Sequence, residues 1–358
     1  MDKSNIKKLR ATIAEYTRPS TRTGLLIFVS DVLVYALAIA GVIFLENIYL
    51  RIICSILAGL QISLLFVVAH DAAHDSFTGN KRLNRYIARI SFLPCFHNYS
   101  LWLIAHNRLH HQQTNLKGHN SWSPLSRDDF LAMPVWRQWV ERFYRCPAGI
   151  CFNYLVERWW KNKFFPYRQI TGDKRKTALL DFTLVITWMI LFVFMLIYAG
   201  SKLSHTGPVE LIILGFAIPV LYASFMIGSS VYMQHTHETI PWFRTEEEAW
   251  EKSKQEEITM HVSFPHWYNL LSHNVMEHTA HHVDPRVPLY NLAKAQSVLN
   301  TVLGDEMVTV EFSLPAFIHT MSRCKLYDYD NHCWLDFEGR QTAKIVSVDT
   351  HIEYQHAA

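Results

Sequence analysis

Residues 106 to 111 read His-Asn-Arg-Leu-His-His, which puts three imidazoles within two turns of a helix. Two comparable clusters occur elsewhere: His70-Asp71-Ala72-Ala73-His74 upstream and His278-Thr279-Ala280-His281-His282 far downstream. Spacings of three and four residues place side chains on one face of a helix, where neighbouring rings can converge on one ion. The rest of the chain is therefore interpreted as a scaffold that brings three separated histidine clusters together.

The composition indicates a membrane protein. Of the 358 residues, 50% are hydrophobic and 18% are charged, and the charged share lies below the roughly 25% that is usual for soluble domains. The formal net charge of +3 is too small to indicate a nucleic-acid partner. The six cysteines include no Cys-x-x-Cys pair, so we expect reduced, structural thiols rather than a disulfide framework.

Four apolar runs are long enough to cross a membrane as helices. They cover about residues 24–45, 52–69, 179–199 and 209–233. The first run is expected to be retained, because no small-residue cleavage site follows it. Before it, a basic amphipathic segment that includes Leu9 and Ile13 at helical spacing is expected to lie on the membrane surface.

The distribution of positive charge predicts how the chain is oriented. Residues 75–178 are rich in Lys and Arg, whereas the connection between the third and fourth runs holds only Lys202 as a firm positive charge. The positive-inside rule therefore places both termini and all histidine clusters in the cytoplasm. The predicted fold is all-α, a single integrated domain of residues 1–358, with four transmembrane helices and a cytoplasmic helical cap formed by residues 70–178 and 234–358.

Three histidine clusters on one predicted side of a membrane indicate a metal site. One pair alone is weak support, but so many unpaired imidazoles beside a membrane would be costly to desolvate. A structural zinc site takes four ligands, and the three clusters hold eight histidines, so two metal ions are predicted. Nitrogen ligands suit zinc, copper, iron or nickel, and ligand type alone leaves the metal open.

These motifs resemble the three histidine boxes of the membrane-bound fatty acyl desaturases and their hydroxylase relatives, and the resemblance covers most of the chain. Gln234-His235-Thr236-His237 and Pro288-Leu289-Tyr290 are most similar to the acyl-lipid omega-6 (delta-12) and omega-3 branch. That branch usually has Cys-Gly in place of Ala72-Ala73, and His in place of Leu289. Neither departure touches a residue that the resemblance implies as a ligand.

The resemblance implies a di-iron centre that activates O₂ and removes two hydrogens from an unactivated acyl chain. Carried over residue by residue, the implied metal ligands are His70, His74, His106, His110, His111, His235, His278, His281 and His282. His235 is preferred as the ninth ligand over His237 and His273. Asp71 and Asp75 are candidates to orient an imidazole through its N–H, and His273 is a candidate for an indirect contact.

The predicted function is O₂-dependent introduction of a double bond into an acyl chain, with no catalytic residue beyond the metal centre. Each turnover needs two electrons, and the sequence has no dinucleotide or haem motif, so a separate ferredoxin or cytochrome b5-type donor is implied. The basic segment from Arg137 to Lys176 is expected to bind either that donor or anionic lipid head groups.

Several alternatives remain open at this point. The acyl carrier is a lipid, coenzyme A or acyl carrier protein. Within the same family, the chain could instead be an acyl hydroxylase or acetylenase. In a different class of protein, it could be a histidine-rich membrane metal transporter, whose ligands would lie near mid-membrane in broken helices.

Overall fold

The computed structural model describes residues 3–111, 114–118, 122–166, 170–245 and 259–346 and is mostly helical. The α-helices are Lys3–Thr12, Thr21–Phe44, Ile48–Ala73, Lys81–Phe92, Tyr99–Leu103, Arg127–Leu131, Val135–Tyr144, Ile150–Asn153, Gly172–Lys202, Pro208–Ile212, Ile218–His235, His266–Leu271, His278–Val283, Leu289–Leu303 and Leu314–Arg323. The π-helices are Ile104–His110, Tyr154–Phe164 and Ile213–Ala217. Short 3₁₀ turns occupy Ala14–Thr17, Pro147–Gly149 and Gly304–Glu306.

Within the described residues, four helices are long and apolar enough to cross a membrane, as predicted. They are Thr21–Phe44, Ile48–Ala73, Gly172–Lys202 and Pro208–His235, here called spans 1 to 4. Most extend beyond the predicted apolar run, because a helix continues past the hydrocarbon boundary until its end is capped. Asn47, for example, starts span 2 by accepting hydrogen bonds from the N–H groups of Tyr49 and Leu50.

Span 2 packs against both span 1 and span 4. Gly59 allows the close approach to span 4, because a Cβ at this position would lie 2.8 Å from the carbonyl oxygen of Pro219. Small residues of this kind let transmembrane helices pack backbone against backbone. The contact holds spans 2 and 4 side by side, and their C-terminal ends carry His70 and His235.

Two short sheets in the described part of the chain make the all-α prediction incomplete. His261–Ser263 (β1) pairs in parallel with Thr309–Glu311 (β2), and Leu326–Asp328 (β3) pairs antiparallel with Cys333–Leu335 (β4). Each strand has three residues, which is too short for the polar and apolar alternation that marks a strand in sequence. The first sheet joins the two ends of the segment that contains the third histidine cluster.

The N-terminal helix packs its apolar residues against protein, whereas the sequence interpretation placed them on the membrane surface. Leu9 and Ile13 are buried, and Arg10 Nε donates a hydrogen bond to the carbonyl oxygen of Val283 at 2.8 Å. An amphipathic helix has the same sequence pattern whether its apolar face meets lipid or protein. The N-terminal segment therefore supports the helix His278–Val283.

Buried carboxylates connect the spans to the segments that carry the histidines. Asp181 in span 3 accepts hydrogen bonds from Arg89 Nε at 2.7 Å and from the N–H and hydroxyl of Ser100 at 3.1 and 2.5 Å. Asp31 in span 1 contacts His273 Nε2 at 2.7 Å. A buried charge without a partner is costly, so these pairs fix the segments around Ser100 and His273 against the spans.

We expect Asp181→Ala to lower the free energy of unfolding by about 3 kcal/mol, because removing one partner of a buried ion pair leaves the other uncompensated. The measurement is the shift of the unfolding transition of the purified chain in detergent. Asp173→Ala, on the same helix, is the control, because the Asp173–Lys176 pair has side chains 95% and 82% exposed and contributes at most about 1 kcal/mol. Equal shifts for the two variants would contradict a structural role for Asp181.

Candidate metal centre

The first histidine cluster lies at the C-terminal end of span 2. The helix continues past Ala69 to Ala73, so His70 and His74 are one turn apart and their ring centroids are separated by 4.8 Å. His74 follows the last helical residue, and its backbone N–H bonds to the carbonyl oxygen of His70. Both imidazoles therefore project from one side of the end of span 2.

The second cluster lies in the π-helix Ile104–His110 and its C-terminal neighbour His111. The N–H of His111 bonds to the carbonyl oxygen of His106 at 3.2 Å, which is the i to i+5 pattern of a π-helix. Its wider turn brings residues four and five apart onto one face, and the rings of His110 and His111 lie 5.0 and 4.7 Å from that of His106. In an α-helix, His111 would point well away from His106.

The third cluster and His235 complete the centre from the C-terminal half of the chain. His278, His281 and His282 lie in the short helix His278–Val283, in which every residue is buried. His235 is the last residue of span 4 and is also buried. The rings from these two elements face one another, with the centroids of His235 and His278 4.9 Å apart.

The structure brings the nine predicted histidines into two adjacent groups. In each group every ring contributes one nitrogen, and these nitrogens all lie within 4.8 Å of one another. The five-histidine group consists of His70, His74, His106, His111 and His281. The four-histidine group consists of His110, His235, His278 and His282. The groups adjoin, with the ring centroids of His111 and His282 4.6 Å apart. Each group is a candidate site for one metal ion.

Contacts between ring nitrogens in the five-histidine group are those expected around a shared ion. His111 Nε2 lies 3.1 Å from both His106 Nε2 and His281 Nε2. A ring nitrogen has either one proton or one lone pair in the ring plane, so it forms only one good hydrogen bond. Hydrogen bonding therefore explains one of the two contacts at His111, whereas ligation of a common ion explains both.

The same spacing recurs in the four-histidine group. His235 Nε2 lies 3.0 Å from His278 Nε2, and His110 Nε2 lies 3.2 Å from His282 Nε2. Metal–nitrogen bonds of roughly 2.0–2.1 Å at right angles to each other place two nitrogens about 3 Å apart. The donor sets thus fit two metal ions, and five nitrogens in one set favour a metal that accepts more than the four ligands of structural zinc.

A lowered pKa favours the neutral, metal-binding form in the seven candidate ligands that lie outside the spans. Burial, and then the proximity of other imidazoles, lowers the pKa of His111 to about 3. The same causes lower the pKa well below its usual value for His74, His106, His110, His278, His281 and His282. His74 Nε2 is buried and has no hydrogen-bond partner among the described residues. A bound metal ion would satisfy this nitrogen without requiring a proton.

Two further side chains hold histidine rings from outside the groups. Asp71 Oδ1 lies 3.0 Å from His70 Nδ1, which leaves His70 Nε2 available as a ligand atom. Asp75, the other carboxylate considered for this role, is exposed. Trp102 is buried and stacks on His106 with ring centroids 4.3 Å apart. Sequence reasoning missed this contact, because one tryptophan near a histidine is equally typical of ordinary core packing.

The two alternatives to His235 lie outside both groups. His237 is bonded through Nδ1 to the hydroxyl of Thr239 at 2.8 Å. His273 pairs with Asp31, so its contact is with span 1. The geometry therefore favours His235 as the ninth candidate ligand.

A cavity of about 560 Å³ reaches both groups. Imidazoles from both groups line it, namely those of His70, His106, His110, His278 and His281. Much of the remaining wall is apolar and comes from spans 2 and 4, including Leu60, Leu64, Val67, Met226, Ile227 and Val231. The cavity therefore joins an apolar space to the two candidate metal sites.

Comparison with known proteins agrees with this arrangement. A family model described as fatty acid desaturase matches residues 46–311, which is more than half of the chain and includes all nine histidines. The chain belongs to the fatty acid desaturase family. The resemblance inferred from the histidine boxes is thereby confirmed.

The relatives that this chain matches include desaturases of the omega-6 and omega-3 acyl-lipid group. The chloroplastic omega-6 fatty acid desaturase of Spinacia oleracea is 27% identical over 281 residues, which cover 78% of this chain and 60% of the relative. The sn-1 acyl-lipid omega-3 desaturase (ferredoxin) of Nostoc sp. (strain 36) is 28% identical, covering 83% of this chain and 80% of the relative. The sn-1 oleoyl-lipid 12-desaturase of Picosynechococcus sp. is 25% identical, with coverage of 82% and 81%. The chain spans about three fifths of the length of the plant relatives that it matches.

We expect His235→Ala to reduce the metal bound by the purified chain from about two ions to about one, because a four-ligand site would retain only three imidazoles. His237→Ala, two residues further along, should keep the full content because its ring lies outside both groups. Metal per chain is measured by inductively coupled plasma mass spectrometry. If His237→Ala loses a metal ion and His235→Ala keeps both, His235 is not the ninth ligand.

Asp71→Asn is expected to weaken metal binding by roughly 10–100-fold, because the carboxylate that orients the His70 ring is lost. The measurement is metal retention against a graded series of chelator concentrations. Asp75→Asn is the matched control and should leave retention unchanged, since Asp75 is exposed. Equal retention by the two variants would argue against the positioning role of Asp71.

Proposed function

We propose that this chain is a membrane-bound fatty acyl desaturase that introduces a double bond into an acyl chain at a di-iron centre, using O₂ and electrons from a separate donor. One observation carries the proposal: imidazoles of both histidine groups line a cavity whose remaining wall is largely apolar. Family membership supports it. An acyl chain is the substrate that such a wall accommodates best.

The chemistry requires the metal centre, because a C–H bond in the middle of an alkyl chain has neither an acidic proton nor a leaving group. Two iron ions, held by the five-histidine and four-histidine groups, would supply the oxidising chemistry when bound. The protein holds the acyl chain in place. Side chains of spans 2 and 4, such as Leu64 and Ile227, exclude water and align the chain beside the histidines. Misplacement by about an ångström is enough to change the outcome.

An acyl-lipid is the proposed substrate, ahead of acyl-CoA or acyl carrier protein. The names of the Nostoc and Picosynechococcus relatives specify acyl-lipid and oleoyl-lipid substrates. A ferredoxin is the proposed donor because the name of the Nostoc relative includes ferredoxin. A cytochrome b5-type protein is the alternative donor.

The docking surface for the donor is proposed to be narrower than the whole basic segment from Arg137 to Lys176. Arg145 is buried beside Glu141 and is not available at the surface. The consecutive cations of residues 174–176, at the start of span 3, are exposed. We propose that an acidic donor contacts this cluster, and that the cluster and the histidine centre face the cytoplasm.

The alternatives differ in measurable ways. Hydroxylation and acetylenic-bond formation need the same positioning of the acyl chain, so the product identifies which reaction occurs. A metal transporter would hold its ligands near mid-membrane, whereas His70 and His235 lie in the last turns of their spans. Exchange of zinc across vesicles that contain the chain would favour the transporter.

Expression in a host that supplies ferredoxin and its reductase is expected to give membrane fatty acids with one additional double bond, detected by gas chromatography and mass spectrometry. His106→Ala, His110→Ala and His282→Ala should each lower product by more than about 100-fold, because even changes outside the ligand shell of a metal cost 10–100-fold. His205→Ala, at a side chain 63% exposed between spans 3 and 4, is the control.

The level of each variant in the membrane fraction is measured in parallel, so that loss of product is not confused with loss of protein. Full product from two of the three ligand variants would contradict the proposed centre. A hydroxylated product would show that the chain is an acyl hydroxylase rather than a desaturase.

A further inference from the structure

The cavity that reaches the histidines also has a cationic wall. Arg158, Asn162 and Lys163 line it, together with Tyr154. All four belong to the π-helix Tyr154–Phe164. Residues four and five apart share a face in a π-helix, because its hydrogen bonds run from i to i+5. The wide turn thus directs Arg158 and Lys163, here called the cation pair, into the same cavity.

Within the part of the chain that the structure describes, neither Arg158 nor Lys163 forms an ion pair with an acidic side chain, because the nearby Glu141 and Glu157 contact other cations. Arg158 Nε is buried and forms no hydrogen bond there. Burial, and then the charge of Arg158, lowers the pKa of Lys163 to about 8. Burial, and then the charge of Arg145, lowers the pKa of Arg158 to about 10, although the charges of Glu157 and Glu141 act in the opposite direction. Two like charges beside each other in a partly buried place are unfavourable unless an anion joins them.

Neighbouring acidic residues are already engaged by other cations. Glu141 contacts Arg137 at 3.3 Å and Arg145 at 3.4 Å. Glu157 contacts Arg137 at 3.1 Å and Lys161 at 2.7 Å. The cation pair therefore differs from the neighbouring cations Arg137, Arg145 and Lys161, because it forms no ion pair with a described acidic side chain and it lines the cavity.

The cation pair is close to the metal centre. The pKa of His110 is lowered by burial, by neighbouring imidazoles, and also by the charge of Lys163. His110 and Lys163 both line the cavity. A molecule in the cavity can therefore meet the cation pair, the histidines and the apolar wall of spans 2 and 4.

We propose that the cation pair binds the phosphate group of a phospholipid whose acyl chain occupies the apolar part of the cavity. An arginine guanidinium binds phosphate oxygens in pairs, and a lysine adds a further charge-assisted hydrogen bond. A phosphodiester offers oxygens for both side chains, and an acyl chain of the same lipid matches the apolar wall. The inference rests on the proposed function, since it names the carrier of the acyl substrate.

The test measures lipid binding without turnover. The purified full chain in detergent binds a phosphatidylglycerol that carries a fluorescent parinaroyl chain, and unlabelled lipids compete for it. Dioleoylphosphatidylglycerol should compete at a concentration at least about tenfold lower than dioleoylglycerol, which has the same chains but no phosphate, because a hydrogen bond to a charged group is worth this factor. Oleoyl-CoA and oleate are tested in the same way.

The double variant Arg158→Gln/Lys163→Gln should lose the tenfold preference for the phospholipid. Its binding of dioleoylglycerol should persist, which would show that the cavity is intact. The matched control is Lys161→Gln, which removes a cation of the same helix that is paired with Glu157, and it should keep the preference.

Three outcomes would overturn the assignment. They are equal competition by dioleoylglycerol and the phospholipid in the wild-type chain, a preference that survives in the double variant, and tighter, cation-dependent binding of oleoyl-CoA or oleate than of the phospholipid. The assay requires no O₂, electrons or product. A chain that fails to desaturate but keeps the preference would therefore refute the proposed function and leave the phosphate site standing.

Discussion

The packing of nine imidazoles against one another, five of them buried and four half-buried, is the constraint on which the rest of the structure depends. Their nitrogens approach to 3.0–3.2 Å, so a proton on any one ring would meet several neighbours of the same kind without solvent to screen it. Two neutral rings at this distance can share one N–H···N hydrogen bond, but a nitrogen with two such neighbours, as in His111, leaves one contact unfavourable. Cations placed within the two groups would turn this repulsion into ligation, and the free energy of metal binding then contributes to folding. The fold thus holds nine imidazoles at distances that would become favourable when metal ions are bound.

Three buried aspartates explain how separate segments are held at such short distances. Each lies on a span and bonds to a segment beside a histidine cluster. Asp181 holds Ser100, shortly before the second cluster, and Asp31 holds His273, shortly before the third. Asp71 orients His70 and accepts the N–H of Leu289, shortly after the third. A hydrogen bond to a carboxylate fixes both distance and direction, whereas apolar packing alone tolerates sliding. The spans therefore position the clusters through polar contacts in an otherwise apolar bundle.

Local patterns made much of this predictable from the sequence. Apolar runs gave the four spans, and spacings of three and four residues gave the eight histidines of the three clusters as candidate ligands. The choice of His235 rather than His237 came from the resemblance to the desaturase family. The pairing of Asp31 with His273 joins residues far apart in the chain, and nothing near either residue indicates it. The packing of Leu9 and Ile13 on protein was missed because the same amphipathic pattern fits a lipid surface. The three-residue strands were missed because they are too short to have a period.

The π-helices were also beyond sequence reasoning, and their comparison shows what such a helix does and does not indicate. In Ile104–His110 the wider turn aligns His106, His110 and His111, and in Tyr154–Phe164 it aligns the cation pair. The third, Ile213–Ala217 in span 4, contains only apolar residues and glycine, and a Cβ on its Gly215 would lie 2.9 Å from a methyl group of Leu196. That helix is explained by close packing. A π-helix therefore gains functional meaning only where its face presents polar groups to a cavity, because a bound ion or anion then offsets the poorer geometry of its turns. By this criterion the π-helices Ile104–His110 and Tyr154–Phe164 have the same role, because each directs polar side chains into the same cavity. The first does so at the candidate metal centre and the second at the cationic wall.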